Sequence, residues 1–353
     1  MSKLTKVEIL WTRVCPLSCS YCAMADGRRN TVLLEQWKEG FLQLKKLGCS
    51  FGGFYGAEPL HDFDKLPEII QFAEGLGIKT TVITSGVVSD LNQKLKTLYE
   101  HGLRSITTSY DAVSIDKSSL MKSKVAMDVI DQFRSFGPVR DSAVVVTLTR
   151  MNYSSLPLII ETMSKKNIWT FFDLIHPDRG QTGSKTKDCD PEFLFKSEDI
   201  EPLCSVLDEV KTMKEKGLLC HASKVFLETV KIAGAYMMSF PKESMYLWNC
   251  SVYDCFPSWV TIDCDGSVLP CDDFSATDVS IIKIWEIADL WKKFGEIWKP
   301  VIRERCPGCL WNTHLDSHLI KQGLLPLTDY IHDTRVETAK RLGPQYVVGC
   351  IAE

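Results

Sequence analysis

A sixfold alternation of strand-like and helix-like stretches constrains this 353-residue chain more than any other feature. The strand-like runs are Val7–Val14, Cys49–Tyr55, Thr80–Thr84, Leu103–Ser109, Val139–Leu148 and Trp169–Ile175. Each is followed by a helical stretch: Leu33–Leu47, Leu66–Leu76, Leu91–Tyr99, Val125–Phe136, Leu156–Met163 and Ile200–Met213. Within the first of these, Leu34, Trp37, Phe41 and Leu44 recur at helical spacing, as do Val125, Val129, Ile130 and Phe133 further on. Short apolar strands alternating with amphipathic helices predict a parallel sheet with helices packed outside it.

Six such units predict an α/β fold, a partial (β/α)6 TIM-like barrel, with its chemistry at the C-terminal ends of the strands. The character changes after about residue 218. Val225–Met238 reads as a helix, and Pro241–Pro257 is irregular and aromatic. Trp259–Asp263 and Ser267–Pro270 read as a hairpin about Asp265-Gly266, a strong turn dipeptide. Ile284–Trp298, Trp311–Gln322 and Asp333–Leu342 have helical patterns. The expectation is a barrel over residues 1–225 and a smaller α+β domain over 226–353, with a β-hairpin and helices. The long polar loop His176–Pro191 reads as a lid or an exposed excursion.

Composition narrows the functional classes. The chain is 45% hydrophobic and 24% charged with a net charge of −4, which suits a large globular core and gives no nucleic-acid or membrane-surface footprint. No apolar run is long enough to span a bilayer, and Met1–Lys6 has no apolar signal core behind it. A cytoplasmic protein is expected. Fourteen Cys is a high count for a cytosolic chain, and a reducing compartment disfavours disulfides, so clustered ones read as metal ligands or redox groups. Three lie between Cys15 and Cys22, six between Cys250 and Cys309, and five are scattered: Cys49, Cys189, Cys204, Cys220 and Cys350.

The first cluster, Cys15-Pro16-Leu17-Ser18-Cys19-Ser20-Tyr21-Cys22, directly follows the first strand. Three thiols on one short loop can hold three irons of a [4Fe–4S] cube and leave the fourth open for chemistry. A zinc loop is the plainer alternative; it needs a fourth ligand, and the first His after the loop is His61. With Tyr21 just before the last Cys, the loop resembles the cluster loop of the radical S-adenosylmethionine (SAM) enzymes. The resemblance implies a [4Fe–4S] cluster on Cys15, Cys19 and Cys22, with SAM bound at the open iron. Tyr55-Gly56-Ala57-Glu58-Pro59 resembles the family's Gly-Gly-Glu-Pro segment, whose backbone accepts the SAM amino group; Ala57 stands for the second Gly. Thr84-Ser85-Gly86 resembles its Thr-Asn-Gly, and Ser109-Tyr110-Asp111 its Ser-x-Asp. The cofactor contacts implied are Tyr21, Gly56, Ala57, Glu58, Thr84, Ser85, Ser109 and Asp111, with Asn152 as a further polar contact. Ordinary strand-end turn chemistry is the alternative for each.

The second cluster is similar to the hairpin and CxxC of the SPASM and twitch domains, which carry auxiliary clusters in many radical SAM enzymes. Cys255 precedes Gly266 and Cys271, and Cys306-Pro307-Gly308-Cys309 follows. The resemblance implies one auxiliary [4Fe–4S] cluster on Cys255, Cys271, Cys306 and Cys309, with Cys250 as a substitute for Cys255. No further Cys follows until Cys350, which favours the single-cluster twitch type. Cys264 reads as a small core residue. Four thiolates on a structural zinc would leave much the same sequence.

Such an enzyme cleaves SAM reductively to a 5′-deoxyadenosyl radical, which takes hydrogen from a substrate C–H bond. The electron comes from a flavodoxin- or ferredoxin-type donor. The sequence reading favours oxidation of a small molecule, since the Cys loop at residue 15 leaves no room for a leader-binding domain before the barrel. Crosslinking or epimerisation of a ribosomal peptide is the alternative, and a metal-stabilised binding protein is the reading outside enzymology. A spare Cys returning a hydrogen atom would give an epimerase; buried, inert thiols are the plainer reading. Substrate contacts are expected from Arg13, Tyr110, His176 and Arg179.

Overall fold

The computed structural model describes residues 4–22, 24–111, 117–175, 191–223, 226–228, 230–231, 259–271, 274, 282–288, 298 and 300. Its elements in chain order are β1 (Lys6–Thr12), α1 (Leu34–Lys46), β2 (Phe51–Gly56), α2 (Leu66–Gly75), β3 (Lys79–Thr84), α3 (Leu91–Glu100) and β4 (Ser105–Ser109). Then come α4 (Lys117–Ser135), β5 (Asp141–Leu148), α5 (Leu156–Lys165), β6 (Trp169–Leu174), α6 (Ile200–Glu215), β7 (Trp259–Ile262) and β8 (Val268–Leu269). The strands form one sheet in the order β6-β5-β4-β3-β2-β1-β7-β8. Neighbours from β6 to β7 are parallel, and β7–β8 is antiparallel. The first six strands with their crossover helices make the partial (β/α)6 barrel.

Two faces of each strand explain the pattern. On β1 the buried Val7, Ile9 and Trp11 face α1, where Trp11 lies 5.4 Å from Trp37 between ring centroids. Phe54 of β2 joins them against Phe41 of α1 at 6.1 Å. Burying these rings is the main local gain, since aromatic side chains dominate core energetics. On β6 the buried Thr170, Phe172 and Leu174 alternate with half-buried Trp169, Phe171 and Asp173. Val145 and Thr147 of β5 are half-buried in the same alternating way, and Tyr55 and Ser109 are half-buried near the C-terminal ends of β2 and β4. A two-residue period of this kind leaves one face of the sheet open to solvent as a lumen. Pro67 and Pro157 start α2 and α5, where a missing amide hydrogen costs nothing.

The element most displaced from its sequence reading is α4, which begins at Lys117 rather than at Val125. Leu120 and Met121 in its first turns are exposed, so no buried stripe marks them.

The hairpin at Asp265-Gly266 forms as expected, with Gly266 at φ +81°. Its placement was not legible. β7 pairs in register with β1, Lys6 with Trp259 through Ile9 with Ile262, so the hairpin extends the barrel's own sheet. Segment 282–288 then docks on α1. The amide of Ala288 donates to Gln43 Oε1 at 3.0 Å, and Ile284 sits over Gly40, where a Cβ would lie 2.7 Å from it. Among the described residues no helix is long and apolar enough to cross a membrane.

Candidate active site

Loop 13–28 rises from the end of β1 and closes on itself. The Arg13 amide donates to the Arg28 carbonyl at 2.8 Å, and the amides of Asp26 and Gly27 donate to the Arg13 carbonyl at 3.1 and 3.0 Å. Between these ends stand the three thiols. Cys19 is buried, and Cys15 and Cys22 are half-buried. The Cys22 amide donates to the Cys19 carbonyl at 3.1 Å, and the Leu17 amide donates to Cys15 Sγ at 3.4 Å. Burial pushes the Cys15 thiol up to about 11, against the pull of the Leu17 amide and with a further push from Glu58 and Cys22. Metal binding therefore has to displace protons here.

The donor set fits an iron–sulfur cluster. Three thiols free of disulfides are soft ligands on one loop. Among the described residues no three His, Cys, Asp or Glu side chains are gathered to hold a single metal ion.

Next to the loop, Gly56 ends β2 at φ +126°, and a Cβ there would lie 2.4 Å from the Thr12 carbonyl oxygen. Only glycine fits. Ala57 does not share this geometry, since it has no positive φ. Alanine in place of a second glycine is accommodated for that reason. The amides of Ala57 and Glu58 donate to the carbonyls of Thr12 and Val14, both at 3.0 Å. An ammonium group needs acceptors, and carbonyls are what this segment has to offer it. Gly56→Ala is expected to cost about 3 kcal/mol in urea unfolding, from strain plus the clash; a loss under about 1 kcal/mol would mean that the turn relaxes freely.

Glu58 itself is fully buried and saturated. Its carboxylate accepts from the Leu60 amide at 3.1 Å, the Thr84 hydroxyl at 2.6 Å, the Ser85 amide at 2.8 Å and the Ser85 hydroxyl at 2.5 Å. The hydroxyls of Thr84 and Ser85 are thereby committed to the protein. Glu58 is a bracket between the ends of β2 and β3, and these three side chains shape the mouth.

At the end of β4, Asp111 is buried and its carboxylate accepts from the Tyr21 hydroxyl and from Lys122, whose Nζ lies 2.8 Å away. Lys122 also donates to the Tyr21 hydroxyl and stands 4.9 Å from that ring's centroid. Burial works against the Lys122 charge, but Asp111, Cys19 and Cys22 outweigh it and hold the ammonium above its ordinary value. Burial and the Asp111 charge push the Tyr21 phenol up, so it stays protonated. Asn152, fully buried, donates to the carbonyls of Asp111 and Thr147 at 3.3 and 3.0 Å and accepts from the Thr149 amide at 2.8 Å. It ties the ends of β4 and β5 together. Ser109 is half-buried on the lumen face, in register with Val145.

A cavity of 610 Å³ opens beside the cluster loop, lined in part by Pro16, His61, Gly86, Val88, Lys94 and Val125. That is the size range of small-ligand pockets.

One expected substrate contact is corrected. Arg13 is fully buried, with its guanidinium bound to Asp263 at 3.0 and 3.3 Å, so it does not reach the mouth. Tyr110 is half-buried with its ring packed on the core. His176, Arg179, Cys250, Cys255, Cys306, Cys309 and Trp311 lie outside the described residues. Cys271 is half-buried at the foot of the hairpin, and Cys264 is buried, its thiol pushed up to about 12 by burial and by Asp263. Cys264 thus packs as the small core residue its position suggests. Lys122 and Asp263 escaped the sequence reading; Lys122 meets Tyr21 from 101 positions away, and Asp263 meets Arg13 from 250 positions away.

Residues 9–161 match the family model described as the Radical SAM superfamily. This stretch is a radical SAM domain. The family works with a [4Fe–4S] cluster and SAM. The chain is similar to the PqqA peptide cyclase of Bradyrhizobium diazoefficiens, at 23% identity over 317 residues, covering 84% of this chain and 76% of the relative. In fold it is similar to Streptococcus suis SuiB bound to precursor peptide SuiA, with a TM-score of 0.62 and 17% identity over 91% of this chain and 74% of that one. It is also similar to anSMEcpe with bound AdoMet, with a TM-score of 0.56 and 15% identity over 96% and 100% of the two chains.

Proposed function

We propose that this enzyme uses a cluster held by Cys15, Cys19 and Cys22 to modify a peptide. When bound, the cluster and SAM supply a 5′-deoxyadenosyl radical that takes hydrogen from a substrate C–H bond. The protein's part is positioning. Glu58 fixes the ends of β2 and β3 against each other, so the segment Gly56–Ala57 presents its carbonyls at a set height beside the loop. Asn152 and Asp111 fix the ends of β4 and β5. Lys122 is the buried cation beside the three thiols, and its charge can pair with a carboxylate such as the one SAM carries. Ser109, Thr147, Phe171 and Asp173, half-buried along the lumen, are the surface on which a substrate would lie.

One observation supports the peptide reading over the small molecule expected from sequence. A relative found by sequence and a structure found by fold are each named with a peptide, PqqA in the first and SuiA in the second. In this reading residues 226–353 form the auxiliary-cluster domain, with Cys255, Cys271, Cys306 and Cys309 as its ligands.

The test is anaerobic reconstitution with iron and sulfide, followed by dithionite and SAM. The expected products are 5′-deoxyadenosine and, with a short precursor peptide encoded beside the gene, a peptide that has lost two hydrogens or gained one deuterium from deuterated water. A peptide left unaltered while a small molecule is oxidised would return the assignment to the sequence expectation. Iron at about eight per chain is expected for two cubes; about four would remove the auxiliary cluster.

Lys122→Met is expected to raise the KM for SAM about tenfold, roughly 1.4 kcal/mol, with iron content unchanged. Initial rates of 5′-deoxyadenosine formation at varied SAM measure it. An unchanged KM would place the Lys122 charge outside SAM binding.

A further inference from the structure

The ends of the cluster loop meet a group from the far end of the sequence. Asp263, fully buried just after β7, accepts from Arg13 Nε at 3.0 Å and Arg13 Nη2 at 3.3 Å. The same carboxylate accepts from Arg28 Nη1 at 3.2 Å and from the amide of Cys264 at 2.8 Å. Arg13 is the first residue after β1, and Arg28 is the residue to which the loop returns. Asp26 closes the set, with its carboxylate 2.9 Å from Arg28 Nε and 3.8 Å from Arg13 Nε.

We propose that Asp263 is a positioning residue that clamps the base of the cluster loop from the C-terminal hairpin, making the geometry of the three thiols depend on that hairpin being docked. The inference rests on the loop being the cluster site. Two guanidinium groups side by side repel, and one buried carboxylate between them holds the loop ends together. Asp26 alone leaves two cations to one anion. The carboxylate is also rigidly placed. β7 is paired with β1, and Asp263 Oδ1 is bonded to the amide of its own hairpin at Cys264. The strand that returns from this hairpin leads to Cys271, so the clamp also sets how the two thiol-bearing segments lie relative to one another.

Hydrogen exchange on the iron-free full chain reads the clamp without reference to turnover. The reporters are the amides of Asp26 and Gly27, both bonded to the Arg13 carbonyl. In Asp263→Asn their exchange is expected to quicken at least tenfold while β3, β4 and β5 keep their protection. In the reconstituted variant, the change that SAM makes in the reduced cluster's paramagnetic resonance spectrum should be lost, at unchanged iron content. Arg28→Gln, at a half-exposed position that does not threaten folding, should quicken the same amides about threefold. Parental exchange at Asp26 and Gly27 in Arg28→Gln would overturn the clamp, whether or not Asp263→Asn folds. Loosened amides in a protein that never cleaves SAM would leave the clamp standing and defeat the cluster assignment instead.

Discussion

Cys19→Ala is expected to abolish 5′-deoxyadenosine formation, a fall of at least about a thousandfold, or roughly 4 kcal/mol of barrier. Cys19 is the buried member of the trio, with half-buried Cys15 and Cys22 on either side in the loop. Two thiolates cannot retain a cube against solvent, so the iron bound should fall by about four per chain. Cys49→Ala and Cys204→Ala serve as controls. The first thiol is buried and pushed up to about 12 by burial, and the second sits on α6 with its sulfur 3.9 Å from the Lys231 carbonyl. Neither should change iron or product. Product formation above a hundredth of the parental rate in Cys19→Ala would remove that residue from the ligand set.

The second large effect concerns Glu58. In Glu58→Ala four donors lose their acceptor at once, two of them backbone amides in a site with no exposed side chain to replace it. At about 1–3 kcal/mol for each buried unsatisfied group, and with the two hydroxyls free to turn elsewhere, the expected loss is about 4 kcal/mol. Glu58→Gln should lose about half of that, because its amide nitrogen must face a donor while its oxygen still accepts. Urea unfolding of the iron-free chain, with the slope checked for a single transition, measures both. Equal losses in the two variants would mean that Glu58 acts through packing alone. The experiment also decides how the glutamate of this segment works. A bracket lowers stability and SAM cleavage together, whereas a direct ligand lowers SAM cleavage and spares stability.

Several local features were readable because their physics is local. The Cys spacing is fixed by one loop, and the hairpin by Asp265-Gly266, where Gly266 does take φ +81°. The strands and most helices follow their apolar periods, and α4 departs where Leu120 and Met121 are solvent-exposed. Thr84, Ser85 and Glu58 were legible as a group of strand-end residues, but their mutual hydrogen bonds were not. Which hydroxyl spends itself on protein depends on the parallel pairing of β2 and β3. Arg13 shows the same limit more sharply. An arginine beside a cluster loop reads as a substrate contact until a carboxylate 250 positions away is seen to take it.

By itself the sequence determined the kind of chemistry and the barrel that carries it, since three thiols on one loop and six strand–helix units each depend on neighbours in the chain. The tertiary structure alone decided that the hairpin joins the sheet beside β1, that Asp263 reaches the loop's base and that Lys122 meets Asp111 and Tyr21. Lys122 and Asp111 are eleven positions apart, but Tyr21 lies 101 positions from Lys122, and Asp263 lies 250 positions from Arg13. A charge carries no mark of its partner until the backbone has brought the two together and excluded water between them.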